Sequence, residues 1–172
     1  MNLSQLKNSY LTHIKIHIES QNPDSKLIRD FADRWFAYYK QGPFLNKNNR
    51  ERWFNGLHAD KLSDEERNAL LQMHFISKNA LLAIKNQSKT KLIKDHSVPI
   101  KKISEILLQQ KGNTLEKNIE QLLLKFYNLG VITFEEDLKL NQIKLKSKMP
   151  EDWDGDAVFA RYDKAGIKKA RL

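Results

Sequence analysis

A chain of 172 residues without cysteine can hold one domain with a real core, or a domain and a small subdomain, but no disulfide and no thiolate metal site. Its 30 Lys+Arg against 21 Asp+Glu leave a formal charge of +9, which favours polyanionic partners, either nucleic acid or an acidic protein. No apolar run approaches the roughly 18 residues of a membrane span, and polar residues interrupt the N-terminal MNLSQLKNSYLTHIKIHIES throughout. Neither a span nor a signal peptide is expected, and the cytoplasm is the default location.

In chain order, Leu3, Leu6, Tyr10, His13, Ile14 and His17 share one face and predict a first helix over residues 3–20. His13 and His17 lie four apart, the separation of two metal ligands on one helical turn. No carboxylate or third histidine stands at a matching spacing nearby, so they are read as packing residues. Asn22-Pro23-Asp24-Ser25 breaks the chain and caps a second helix over 25–41, which Gly42-Pro43 ends. A third helix is expected over about 46–58. Arg34-Trp35-Phe36 returns there as Arg52-Trp53-Phe54. Such a mixture of aromatic and basic residues suits a stacking surface for unpaired bases, although helical aromatics more often fill cores. Tyr38, Tyr39 and Arg52 are expected to be partly exposed.

The stretch Ser63 to Asn86 has no Gly or Pro and opens with a capping box, Ser63-Asp64-Glu65-Glu66. Its apolar residues cover more than half of a helical circumference, more than an ordinary surface helix shows. This predicts a central, mostly buried helix over 63–86, with Leu71, Leu81 and Leu82 in the core. One polar line survives on it: His74, Lys78 and Lys85 fall within about 20° of Arg67 around the helix. Arg67 and His74, with six residues between them, resemble the Arg-(four to six residues)-His motif of HEPN ribonucleases, small all-helical proteins of bacterial defence and toxin systems. The resemblance implies that Arg67 and His74 act on the scissile phosphate of RNA, usually across a dimer. Arg52 and His58, with five residues between, satisfy the same motif.

Lys85, Lys89, Lys91 and Lys94, with Asn86-Gln87-Ser88 between them, form a basic connection and the best boundary, dividing the chain into residues 1–90 and 91–172 unless it is one continuous domain. Asp95-His96-Ser97-Val98-Pro99 resembles the first strand-end signature of HNH nucleases, which implies that His96 would activate water beside a metal, with Asn113 or Asn118 as later ligands. No His follows His96 and the preceding stretch does not alternate, so the segment is read as a turn with Pro99 opening the next helix.

Residues 99–110 predict an amphipathic helix with Ile100, Ile103, Ile106 and Leu107 inward, and residues 115–129 another after the turn Lys111-Gly112-Asn113-Thr114. Gly130 reads as a C-cap glycine, Val131-Ile132 as a short apolar link, and Thr133-Phe134-Glu135-Glu136 as a second capping box opening a helix over 133–141. This outline resembles the core of helix-turn-helix and winged-helix DNA readers. The resemblance implies that Lys117, Asn118, Gln121 and Lys125 approach a DNA groove. Asp152, Asp154 and Asp156 alternate as in a calcium loop, but the sixth position is Ala157 where a glycine is needed. Trp153, Phe159 and Tyr162 are expected to anchor a short last helix, leaving Lys164, Lys168, Lys169 and Arg171 as a positive tail.

Together these readings predict an all-α fold: a compact domain of seven to nine helices around the helix 63–86, with a helix-turn-helix-like C-terminal half. The expected function is non-enzymatic. A cytoplasmic, bacterial or phage-type protein would bind nucleic acid or a nucleoprotein partner through Lys101, Lys102, Lys117, Asn118, Gln121, Lys125, Lys168 and Lys169. The alternatives are a HEPN-like ribonuclease using Arg67 and His74, or a protein-interaction module whose charge is incidental. No metal, cofactor or membrane partner is expected.

Overall fold

The computed structural model describes residues 3–21, 23–39, 58–110, 112 and 115–170. Their elements run α1 (Leu3–Glu19), α2 (Ser25–Tyr39), a 3-10 turn (Ala59–Lys61), α3 (Asp64–Leu71), β1 (Phe75–Ile76), α4 (Lys78–Lys85), β2 (Leu92–His96), α5 (Ile100–Leu108), α6 (Leu115–Phe126), β3 (Leu129–Thr133), α7 (Phe134–Gln142) and α8 (Ala160–Lys164). They form two compact units. One comprises Met1–Trp53 and Ile100–Tyr127, the other Phe54–Pro99 and Asn128–Leu172. The predicted third helix, with Arg52 and the second Arg-Trp-Phe, lies outside the described residues, as do the side chains of Tyr38 and Tyr39.

The first unit is helical, and its helices follow the apolar spacing. Leu11 and Ile14 of α1 and Ile28, Ala32, Trp35 and Phe36 of α2 are buried, as are Ile103 and Leu107 of α5 and Leu115, Ile119 and Leu123 of α6. α1 packs on α2 and α6, and α2 packs on α5. Asp24 caps α2, its carboxylate accepting from the amides of Lys26 at 2.8 Å and Leu27 at 3.3 Å. His13 and His17 do pack: both rings lie against Phe31, at centroid distances of 5.0 and 5.6 Å. Tyr127 donates its hydroxyl to Asp33.

The second unit overturns the all-α expectation, because it is built on a three-stranded mixed sheet in the order β1-β3-β2. β1 pairs parallel to β3, Phe75 opposite Gly130 and Ile76 opposite Val131. β2 pairs antiparallel to β3, from Leu92 opposite Thr133 to His96 opposite Leu129. All five residues of β3 are buried. A central strand covered on both faces reads as a continuous apolar run rather than an alternating one, which is why Leu129–Thr133 resembles a linker. Gly130 is therefore no helix cap. A Cβ built there would stand 2.3 Å from the Phe75 carbonyl oxygen and 2.5 Å from its ring, so glycine lets β1 approach β3.

The single central helix 63–86 is also corrected. The capping box at its start is present, with Ser63 N donating to Glu66 at 2.8 Å and Glu66 N to Ser63 Oγ at 3.1 Å. However, α3 stops at Leu71, the chain extends through β1, and a second helix starts with Ser77 as its own N-cap, Oγ accepting from Ala80 N at 3.0 Å. The pairing with β3 wins over continued helix: His74 N donates to Leu129 O and Ser77 N to Val131 O, at 3.0 and 2.9 Å. Leu82, expected in the core, is 56% exposed, because α4 restarts the helical phase. The second capping box, Thr133 with Glu136, forms as expected and opens α7. Phe75, Ile132, Leu140, Tyr162 and Ile167 make the core of this unit, with Phe159 packed against it. Tyr162 and Phe159 thus hold α8 as an aromatic anchor.

Candidate functional site

The edge of β1 that faces away from β3 shapes a groove in the second unit. The C-terminal segment runs along that edge: Lys78 N donates to Lys168 O and Ala170 N to Ile76 O, both at 2.8 Å. Between this segment, α8 and the turn before β1 lies an open groove of about 1040 Å³. Its walls carry His74, Lys78, Phe159, Asp163, Lys168 and Lys169, and its floor is apolar at Phe75 and Ile167. Lys78 is placed by Ser77, whose cap makes it the first residue of α4. Lys169 lies opposite Ser77 in an isolated β-bridge, and its ammonium sits 3.5 Å from the centroid of the Phe159 ring. Phe159 is itself held edge-on against Phe75, with centroids 5.4 Å apart. Gly166, at φ +67°, turns the chain from α8 into the segment that carries the two lysines.

The ring of His74 is fixed from its other side. Leu129 N donates to Nδ1 at 3.2 Å, so Nδ1 is the acceptor nitrogen and the neutral ring carries its proton on Nε2. Among the described residues, Lys78, Lys168 and Lys169 make no ion pair with a carboxylate. Cations that share one concave surface without neutralising partners set up a positive potential there.

Two further polar constellations in this unit centre on buried side chains. Arg161 is fully buried, although it carries a charge. Its Nε donates to Ser97 O at 2.9 Å, its Nη1 to Leu145 O and Lys146 O at 3.0 Å, and its Nη2 to His96 O and the Asp95 carboxylate. Tyr162 donates to the same carboxylate at 2.6 Å. Burial pushes the Tyr162 hydroxyl well above its ordinary pKa, the Asp95 charge adds to this, and Arg161 opposes it. The second constellation centres on Glu136, which accepts from Ser77 Oγ at 2.5 Å, Asn79 Nδ2 at 3.0 Å and Thr133 N at 2.9 Å. Both clusters satisfy buried charge and tie distant segments together, which makes them architectural.

The expected site residues divide between the units. Lys101, Lys117, Gln121 and Lys125 are exposed on α5 and α6 of the first unit, while Lys102 and Asn118 are half-buried there. Lys102 is paired with Glu105 at 3.3 Å, and the Lys125 ammonium lies over the Phe126 ring at 4.8 Å. The α5–α6 hairpin has the helix-turn-helix outline, but β3 is followed by α7 and not by the partner strand of a wing. In the second unit the groove brings together His74, Lys168 and Lys169. It adds Lys78 and Asp163, which the sequence reading left out of the site. Lys78 was visible as part of the polar line on 63–86, but nothing linear joins it to residues 168–169.

Arg67 does not line the groove. It donates from Nη2 to Leu62 O at 3.0 Å, and its Nε lies 4.0 Å from Asp64. His74 stands beyond the end of α3, so the helical spacing that would place the two on one face does not apply. Asp95 and His96 do end a strand, as the HNH resemblance requires, but Asp95 is engaged by Arg161 and Tyr162. Asn113 lies outside the described residues. The aspartates near the C-terminus make a local turn, with Asp154 accepting from the amides of Asp156 and Ala157, and Asp152 paired with Lys164 at 2.8 Å. Among the described residues no group of three or more His, Asp or Glu is arranged to hold a metal, and no helix is long and apolar enough to cross a membrane.

Comparison with protein-family models, with curated proteins and with solved structures gives no match for this chain.

Proposed function

We propose that this protein binds nucleic acid without acting on it enzymatically, and that the groove of the second unit holds the phosphate backbone. The observation that carries this reading is the convergence of Lys78, Lys168 and Lys169 on one groove, none of them ion-paired among the described residues. Lysine is a flexible point charge, suited to phosphates and not to reading base edges. A concave cationic surface suits a single strand better than a duplex, because the strand can bend into it. The exposed lysines of the first unit, Lys101, Lys117 and Lys125, belong to the same reading as auxiliary contacts, with residence in a bacterial cytoplasm as its setting.

The test is fluorescence anisotropy with single- and double-stranded oligonucleotides at low salt. Binding is expected to weaken steeply with salt, because each neutralised phosphate releases condensed counterion. Replacing Lys78, Lys168 and Lys169 together by Gln should weaken all sequences alike and flatten the log–log salt slope by roughly 2 on single strands. Lys117→Gln with Lys125→Gln should weaken binding less. Absence of binding at tens of micromolar would remove the reading and leave the protein-interaction alternative.

A further inference from the structure

The groove contains one group that does not belong in a pure phosphate trap. Asp163 is exposed on its wall, and a carboxylate there repels a phosphodiester chain. The neighbouring Lys164 is held by Asp152 at 2.8 Å, and among the described residues no cation pairs with Asp163. Its side chain offers only acceptor oxygens.

A ligand that meets this carboxylate favourably must bring a hydrogen-bond donor beside its phosphates. The backbone of DNA has none. The backbone of RNA has one per nucleotide, the 2′-hydroxyl, and a carboxylate is a good acceptor for that group. Base stacking is a poor alternative source of selectivity here. The ring face that would serve, Phe159, is covered by the Lys169 ammonium at 3.5 Å. Recognition therefore falls on sugar and phosphate.

We infer that the groove selects ribonucleotide chains over deoxyribonucleotide chains, independently of sequence, with Asp163 accepting a 2′-hydroxyl while Lys78, Lys168 and Lys169 hold the adjoining phosphates. This rests on the nucleic-acid reading above and goes beyond it by naming the sugar and the residue that reads it.

The experiment uses the full chain and three fluorescein-labelled 12-residue oligomers with the same base: uridine, deoxyuridine and 2′-O-methyluridine. The uridine oligomer is expected to bind about three- to tenfold more tightly than the other two, the net worth of one hydrogen bond. In Asp163→Ala the ratio should collapse towards one, with deoxyuridine binding strengthened by loss of the repulsion and uridine binding weakened. Asp163→Asn keeps an acceptor oxygen and should retain part of the preference. Unchanged far-UV circular dichroism of both variants would show that the fold persists. Equal affinity of the parent for uridine and deoxyuridine would overturn the inference while leaving nucleic-acid binding intact. Persistence of the full preference in Asp163→Ala would overturn it too. If no oligomer binds, the nucleic-acid reading falls and this inference falls with it.

Discussion

In the helical unit, cations stand at the surface beside carboxylates: Lys7 with Glu120 at 2.7 Å, Arg29 with Asp30 at 3.4 Å and Lys102 with Glu105 at 3.3 Å. The sheet unit has such pairs too, Lys146 with Asp137 at 2.7 Å and Lys164 with Asp152 at 2.8 Å, but two further groups of cations stand apart from them. Arg161 is taken wholly inside and saturated with carbonyl and carboxylate partners, whereas Lys78, Lys168 and Lys169 share a groove and, among the described residues, form no ion pair. Net charge is therefore a poor guide to where a polyanion would bind. What matters is which cations the fold has already spent on its own carboxylates, and only the three-dimensional pairing shows that.

The sharpest test of this contrast is the interior cation. Arg161→Met removes one partner of a buried pair and takes a donor from Asp95 and from four backbone carbonyls. The sheet unit should lose about 3–5 kcal/mol in urea unfolding followed by circular dichroism. A loss no larger than that of a surface pair would erase the distinction between the units. In the helical unit the corresponding weight lies in apolar packing. Leu123, fully buried on α6, should cost about 2–5 kcal/mol when cut to Ala. Gly130→Ala should destabilise by about 1–3 kcal/mol, because the new methyl would strike the Phe75 carbonyl across the β1–β3 pair. The measurement is again the urea midpoint, and an unchanged value would mean that β1 is not held against β3.

The next effect appears only in alkali. Above a pH of about 10 the unfolded chain loses the Tyr162 proton while the folded chain, whose hydroxyl is raised well above that value, retains it. Stability should fall as pH rises through this range, and Tyr162→Phe should flatten the fall. The smallest effect is expected at Leu82. With more than half of its surface in water, Leu82→Ala should change stability by less than about 0.5 kcal/mol.

The same division governs what the sequence revealed. The helices of the first unit announce themselves because Ile103 and Leu107, or Leu115, Ile119 and Leu123, recur at helical spacing, and Asp24 supplies a cap. The sheet unit announces only its capping boxes. β1 is two residues long, too short to show a period, and its pairing is fixed by Leu129–Val131, more than fifty residues away. Ser77 was the readable warning, an N-cap residue in the middle of an apparent helix. The groove was half legible. His74, Lys168 and Lys169 were singled out, but for different reasons, and nothing in a linear chain says that a C-terminal segment returns to the edge of β1.

β2 and β3 are antiparallel neighbours, and just past them Ser97 N donates to Asn128 O at 2.9 Å. The chain thus leaves and re-enters the sheet at one point, where a tight turn would suffice. Topologically this is a β-hairpin whose loop has been opened to admit two helices. Loop-closure entropy rises only logarithmically with length, so a hairpin can carry such cargo at modest expense in stability. The penalty falls on kinetics instead, because the ladder becomes a distant contact that must wait for the excursion to close. The β2–β3 junction is accordingly the natural place to cut, shorten or graft: an Asn-Gly splice between the strands would convert a distant pairing of the sheet into a local one.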